Sequence, residues 1–196
     1  AMELYPELAE SVRSDPDPLS RAFHLAIAGN VVDFGVTGDI DESRLHAAIE
    51  QSAQEPIYGE PERFRDAVAE AERILYLADN TGEIVFDRLL IEQLPMDRVT
   101  VAVRGGPIIN DVTREDAAFA GITDLVPVID NGAAAPGTDL ELCSREFREA
   151  FGRADLVISK GQGNFETLNE VTGKRIAFLF RVKCAVVERL SGYPVG

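Results

Sequence analysis

Five polar clusters in this chain carry residue types that hold cations and anions. Asp79-Asn80 follows the apolar run "ILYLA", and Arg104-Gly105-Gly106 follows "RVTVAV" and leads to Asn110-Asp111. Asp130-Asn131-Gly132 follows "DLVPVI", Lys160-Gly161-Gln162-Gly163-Asn164 follows "DLVIS", and Arg181 and Lys183 follow "RIAFLF". Oxygen donors from Asp79, Asn80 and Asp111 suit a hard divalent cation such as Mg²⁺ or Mn²⁺, with water completing the shell. No histidine or cysteine neighbours these positions, which argues against zinc. Glycines 161 and 163 expose backbone amides, and Lys160 adds a point charge, a combination suited to a phosphate. A phosphate held at Lys160 opposite a cation held by carboxylates is a coherent arrangement for phosphate-ester hydrolysis.

Each motif also has a plainer reading. Asp79 or Asn80 can cap the helix that follows, because both side chains satisfy orphan amides. The spacing Thr113-x-x-Asp116 can cap its own helix, which leaves Asp111 available for other work. Gly105-Gly106 permits close backbone approach, and Arg104 or Asn110 can orient a substrate there. The run "KGQGN" is neither a Walker A loop nor a dinucleotide fingerprint, since GxxxxGK[ST] is absent and the GxG continues as Asn164-Phe165-Glu166. "GDIDES" contains Asp-x-Asp, but it follows the poor strand "DFGVTG" and reads better as a helix cap. His24 and His46 stand alone within helical patterns, no Ser-His-Asp arrangement is suggested, and Cys143 reads as filler.

Placing these residues at one site requires a sheet. From Ile74 onward, short runs rich in Val, Ile and Leu alternate with helical stretches: "ILYLA" then Glu83–Leu94, "RVTVAV" then Thr113–Ala120, "DLVPVI" then Leu140–Phe151, "DLVIS" then Asn164–Val171, and "RIAFLF" then Lys183–Leu190. Five such repeats predict a three-layer α/β/α fold with a mostly parallel sheet, in which ligands bind beyond the carboxyl ends of the strands. Before it, Pro18–Phe34, Glu42–Ala53 and "PERFRDAVAEAERI" carry helical spacing. Residues 1–70 are expected to form a helical N-terminal region, and residues 71–196 the α/β domain.

Composition narrows the partners. The chain has 196 residues and a net charge of −15, from 34 acidic and 19 basic residues, so nucleic acid and anionic membrane are poor partners. No apolar run approaches the roughly 18 residues of a membrane span, and no basic-then-apolar leader opens the sequence. Cys143 and Cys184 form no CxxC pair, which fits reduced thiols in a cytoplasmic protein better than a disulfide framework.

Together, "DNTGEIVFDRLLIEQL", "VRGGPIINDVT", "DLVISKGQGNFETL" and "FLFRVKC" resemble the metal-dependent damage-control phosphatase family, formerly domain of unknown function 89, and its archaeal and bacterial branch most of all. "LAIAGNVVDFG", Leu25 to Gly35, extends the similarity toward the start. The resemblance implies an α/β/α sheet preceded by helices and a divalent metal on Asp79, Asn80 and Asp111. It also implies that Lys160 is the phosphate-binding lysine and that Asn30 lines the same pocket. Members act on small phosphorylated metabolites such as sugar phosphates, with Mg²⁺, Mn²⁺, Co²⁺ or Ni²⁺. Relatives usually carry more helical sequence before the segment that begins here, often with a CxxC pair, so this chain is either a fragment or a short member.

The expected function is therefore a metal-dependent phosphomonoester hydrolase using a metal-activated water. Asp79, Asp111 and Lys160 are its expected catalytic residues, with Asn30, Arg104, Gly105, Gly106, Asn110 and Lys160–Asn164 around the phosphate. Two rivals remain. One is a metal- or phosphometabolite-binding module without turnover. The other is an S-adenosylmethionine-dependent carboxyl methyltransferase, which would want a glycine-rich loop where this chain has Asp79-Asn80.

Overall fold

The computed structural model describes residues 2–29, 51 and 55–195 of the chain. The expected helix over Glu42–Ala53 (Gln51 apart), the Asp-x-Asp motif, His46 and Asn30 lie outside the described residues. Among the described residues three helices precede the sheet: α1 (Tyr5–Ser14), α2 (Pro18–Ala28) and α3 (Pro61–Glu70). Each has a proline in its first turn, where a missing N–H costs no hydrogen bond. The Asp17 carboxylate caps α2 by accepting from Ser20 N–H at 3.2 Å.

Then follow β1 (Ile74–Leu77), α4 (Ile84–Ile91), β2 (Val99–Val103), α5 (Arg114–Phe119), β3 (Val128–Asp130), α6 (Arg145–Arg153), β4 (Leu156–Lys160), α7 (Gln162–Leu168), β5 (Ile176–Leu179) and α8 (Ala185–Ser191). The five strands form one sheet, every pairing parallel, in the order β3-β2-β1-β4-β5. This is the expected α/β architecture.

Alternation along the strands makes two cores. Ile74 and Tyr76 of β1 face one side with Leu156 and Ile158, against α1, α2, α3 and α4. Leu75 and Leu77 face the other with Val157, against Phe147 and Phe151 of α6 and Leu168 of α7. The N-terminal helices thus share a core with the sheet. By the same alternation Lys160 follows Ile158 onto the α2/α4 face.

Two boundaries differ from expectation. "DLVPVI" gives a strand only from Val128, because Pro127 has no N–H for the ladder and β3 is tolerated as a short edge strand. The helix expected from Leu140 starts at Arg145, where Ser144 Oγ accepts from Phe147 N–H at 3.1 Å and sets the cap.

Candidate functional site

Strand order places the site. From β1 the chain steps outward through β2 to β3, then returns to the other side of β1 for β4 and β5. The crevice of such a sheet lies between the carboxyl ends of the two strands where direction reverses, here β1 and β4. Asp79 and Asn80 follow β1; Lys160 ends β4 and Gly161 follows it. The Asp79 carboxylate rests directly on Gly161. That glycine has φ +77°, and a Cβ on it would lie 1.9 Å from Asp79 Oδ2.

Asn80 and Asp111 form an isolated antiparallel bridge. Thr81 N–H donates to Asn110 O at 2.9 Å and Val112 N–H to Asp79 O at 2.8 Å. Residues 80 and 111 are thus a non-hydrogen-bonded pair, whose side chains leave on the same side and approach closely. The capping alternative for Asp79 and Asn80 is not what the structure uses. It is the Asn80 carbonyl that accepts from Glu83 and Ile84 N–H, both at 3.1 Å, and no side chain caps α4. Thr113 N–H and Oγ1 both donate to Asp116 Oδ2, at 2.8 and 2.7 Å, so α5 is capped without Asp111.

The Arg104 guanidinium is buried between the two carboxylates. Its Nε donates to Asp111 Oδ2 at 2.5 Å, and its Nη2 lies 3.7 Å from Asp79 Oδ1. Nη1 donates to Thr138 Oγ1 at 3.1 Å and Nη2 to Asn164 Oδ1 at 3.2 Å. Asn164, fully buried, uses its Nδ2 to hold Lys160 O at 2.7 Å and Ala78 O at 3.3 Å. Arg104 and Asn164, expected at a phosphate, therefore brace the ends of β1, β2 and β4.

Lys160 lies beneath. Its ammonium donates to Ala26 O at 2.9 Å, to Asp87 Oδ1 at 2.5 Å and to Glu83 Oε1, so all three protons have protein acceptors. Tyr76 OH donates to the same Asp87 oxygen at 2.8 Å. Burial alone would lower the Lys160 pKa, but the Asp87 and Glu83 carboxylates reverse this and hold it above its ordinary value. Glu83, Asp87, Tyr76 and Thr138 were not anticipated from sequence. A carboxylate at 87 in the largely apolar "IVFDRLLI" was the available signal, since on a buried face such a group must find a partner.

Asp79, Glu83, Asp87, Asp111, Arg104 and Lys160 are all the buried charged side chains among the described residues. Four carboxylates thus face two cations, an excess of two negative charges. The consequence is visible on Asp79, whose carboxyl is pushed up to about 7 by burial and then by Glu83 and Asp111, against Arg104 and Lys160. Asp87 is pushed up to about 6, chiefly by burial.

The remaining expected residues lie around this cluster. Gly105 packs on the β3 end: its N–H meets Asn131 Oδ1 at 3.0 Å and Ala133 O at 2.9 Å, and a Cβ would strike the Gly132 carbonyl carbon at 2.5 Å. Gly106 is half-buried and Asn110 exposed at the rim. The Gly161 amide donates to Leu179 O at 3.1 Å, and Gln162 Oε1 accepts from Lys183 N–H at 3.1 Å. Gly163 is half-buried beside Gly137. Among the described residues no group of three or more His, Cys, Asp or Glu is arranged to hold a metal ion; Asp79, Asn80 and Asp111 supply two carboxylates and an amide.

Fold and site together define an α/β protein with a buried, carboxylate-rich centre at the switch point of a parallel sheet. The whole chain, residues 1–196, matches the damage-control phosphatase ARMT1-like domain, and the protein belongs to that family. It is 44% identical to a damage-control phosphatase of Pyrococcus horikoshii, over 89% of this chain and 62% of that protein. It is 35% identical to a damage-control phosphatase of Archaeoglobus fulgidus, over 100% of this chain and 69% of the relative. The crystal structure of a DUF89 family protein from P. horikoshii superposes with a TM-score of 0.88 at 40% identity, over 99% of this chain and 69% of that one. The chain thus spans roughly three fifths to two thirds of the length of these relatives. Among the described residues no helix is long and apolar enough to cross a membrane.

Proposed function

We propose that this chain carries the centre of a divalent-metal-dependent phosphatase acting on small phosphomonoesters, with the cation held by Asp79, Asn80 and Asp111. The observation that carries this reading is the charge of the buried cluster. Among the described residues four buried carboxylates face two cations, an arrangement costly out of water, and one divalent cation balances that excess. The donors are all oxygen, which suits Mg²⁺, Mn²⁺, Co²⁺ or Ni²⁺. When bound, such an ion supplies Lewis-acid charge to a phosphoryl oxygen and acidifies water.

The chain's own residues would then set the geometry. Arg104 holds the Asp111 carboxylate by a charged hydrogen bond and stands within ion-pair distance of Asp79. Lys160 contributes positive charge from below the site rather than a hydrogen bond to phosphate, since its protons are engaged. Gly161, having no side chain, makes room for the Asp79 carboxylate at the floor of the crevice. Gly106, Asn110 and the amides of Gln162 and Gly163 are the groups at the rim within reach of an arriving phosphomonoester. Family membership and the names of the relatives support the phosphatase class.

The test is hydrolysis of p-nitrophenyl phosphate after chelator treatment and again with each metal restored, alongside Asp79→Ala and Asp111→Ala. Metal-restored turnover lost in both variants is the expected result. Metal binding without phosphate release would favour a binding module, and no metal binding would overturn the reading.

A further inference from the structure

Asn80 differs from Asp79 and Asp111 in one respect. A carboxylate offers oxygen whichever way it turns, whereas a carboxamide offers oxygen on one side and N–H on the other. An Asn that is to present oxygen must have its amide held, and the structure shows what holds it. Asn80 Nδ2 donates to Asp79 Oδ2 at 3.0 Å and reaches Glu83 Oε2 at 3.5 Å, the long limit of such a contact. Among the described residues Asn80 Oδ1 takes no hydrogen bond, and it lies on the opposite side of the amide. The bridge between Asn80 and Asp111 sends both side chains to the same side of the backbone.

Glu83 is itself anchored. Its Oε1 accepts from Lys160, whose other two protons go to Asp87 and Ala26 O, and its backbone N–H donates to Asn80 O at 3.1 Å. Lys160 can only donate, so Oε1 is committed to it, and Oε2 is the oxygen that Asn80 Nδ2 reaches. We infer that Glu83 is a positioning residue: held by Lys160, it fixes the orientation of the Asn80 carboxamide so that Oδ1 is presented together with the Asp111 carboxylate. The inference rests on the metal reading above and gives Lys160 its role in it.

A near-isosteric change isolates this function. In Glu83→Gln, Lys160 still needs the remaining oxygen, so the new NH₂ faces Asn80 Nδ2, donor against donor, and only Asp79 Oδ2 is left to favour the productive orientation. In an Asn80→Asp background orientation has no meaning, because both atoms at the end of the side chain are oxygen. The experiment is calorimetric titration of Mn²⁺ alone into the metal-free full chain, for wild type, Glu83→Gln, Asn80→Asp, the double variant and Asp79→Ala, with thermal unfolding as a folding check.

Glu83→Gln should weaken Mn²⁺ binding at least about tenfold in the Asn80 background, the usual effect of losing a group that orients a ligand, and by much less when Asn80→Asp is present. An equal loss in both backgrounds, or none in either, overturns the inference. If Glu83→Gln alone does not fold, the double variant against Asn80→Asp decides: weaker binding in the double variant refutes orientation, and unchanged binding supports it. Asp79→Ala separates the two readings. If it binds Mn²⁺ like wild type, the metal site itself is misplaced; if it does not bind while Glu83→Gln binds normally, only the role of Glu83 fails.

Discussion

The Asp79 carboxylate occupies the space where Gly161 has no side chain, with Oδ2 only 1.9 Å from where a Cβ would be. Gly161 also holds φ +77°, a conformation that a side chain strains by about 1–3 kcal/mol. Gly161→Ala is therefore expected to displace Asp79 and to lower metal-restored hydrolysis by roughly 100-fold, the scale of a 1 Å error in position. Gly152→Ala is the control: nothing lies within 4 Å of a Cβ there, inside α6, and the change should keep activity. Wild-type turnover in Gly161→Ala would show that the Asp79 position does not matter.

Arg104 is the cation nearest both site carboxylates. Arg104→Met keeps most of its volume and leaves Asp79 and Asp111 buried without it, a loss of about 3–5 kcal/mol for breaking a buried pair. In chelator the variant should melt well below wild type. Mn²⁺ should then raise its Tm more than it raises that of wild type, because the added charge replaces the missing one. Equal Mn²⁺ shifts in the two proteins would contradict a shared electrostatic site.

How much of this was legible in the chain depends on the range of the interaction. Strand ends were readable because each apolar run stops at Asp, Arg or Lys, and the freeing of Asp111 was readable from Thr113 and Asp116. Those are local signals. The partner of Asp87 was not readable, since Lys160 lies 73 residues away and helical periodicity cannot name it. Nor was the inward turn of Arg104, which depends on Thr138 and Asn164 from two other segments. Lys160 was noticed for its glycine neighbours, yet its direction follows from strand alternation, which turns it under the sheet rather than into the crevice.

Asp87 makes a pH prediction. Its carboxyl is raised to about 6 in the folded protein, against an ordinary value near 4. Between these values the folded state holds the proton and the unfolded state does not, so stability falls as pH rises from about 4 to about 6. The slope from this one group is about 1.4 kcal/mol per pH unit. Asp87→Asn removes it while weakening the protein overall, because Lys160 loses one of its two carboxylate charges. Denaturant unfolding of both proteins at several pH values should show wild type losing up to about 3 kcal/mol relative to the variant across that window. Parallel pH profiles would mean that Asp87 is ionised throughout.

Cys143 and Cys184 should differ in reactivity. Cys143 is buried in the core under α6, and burial pushes its thiol up to about 11 against the pull of Arg104. At pH 8 that leaves roughly 200-fold less thiolate than an ordinary cysteine has, and the thiolate is the nucleophile. Cys184 is half-exposed at the start of α8. Limiting iodoacetamide should label Cys184 and spare Cys143 in the folded chain, with both labelled in denaturant, as read by peptide mass spectrometry. Labelling of Cys143 in the folded protein at the rate of Cys184 would mean that the core packed on β1 and β4 opens far more readily than its burial implies.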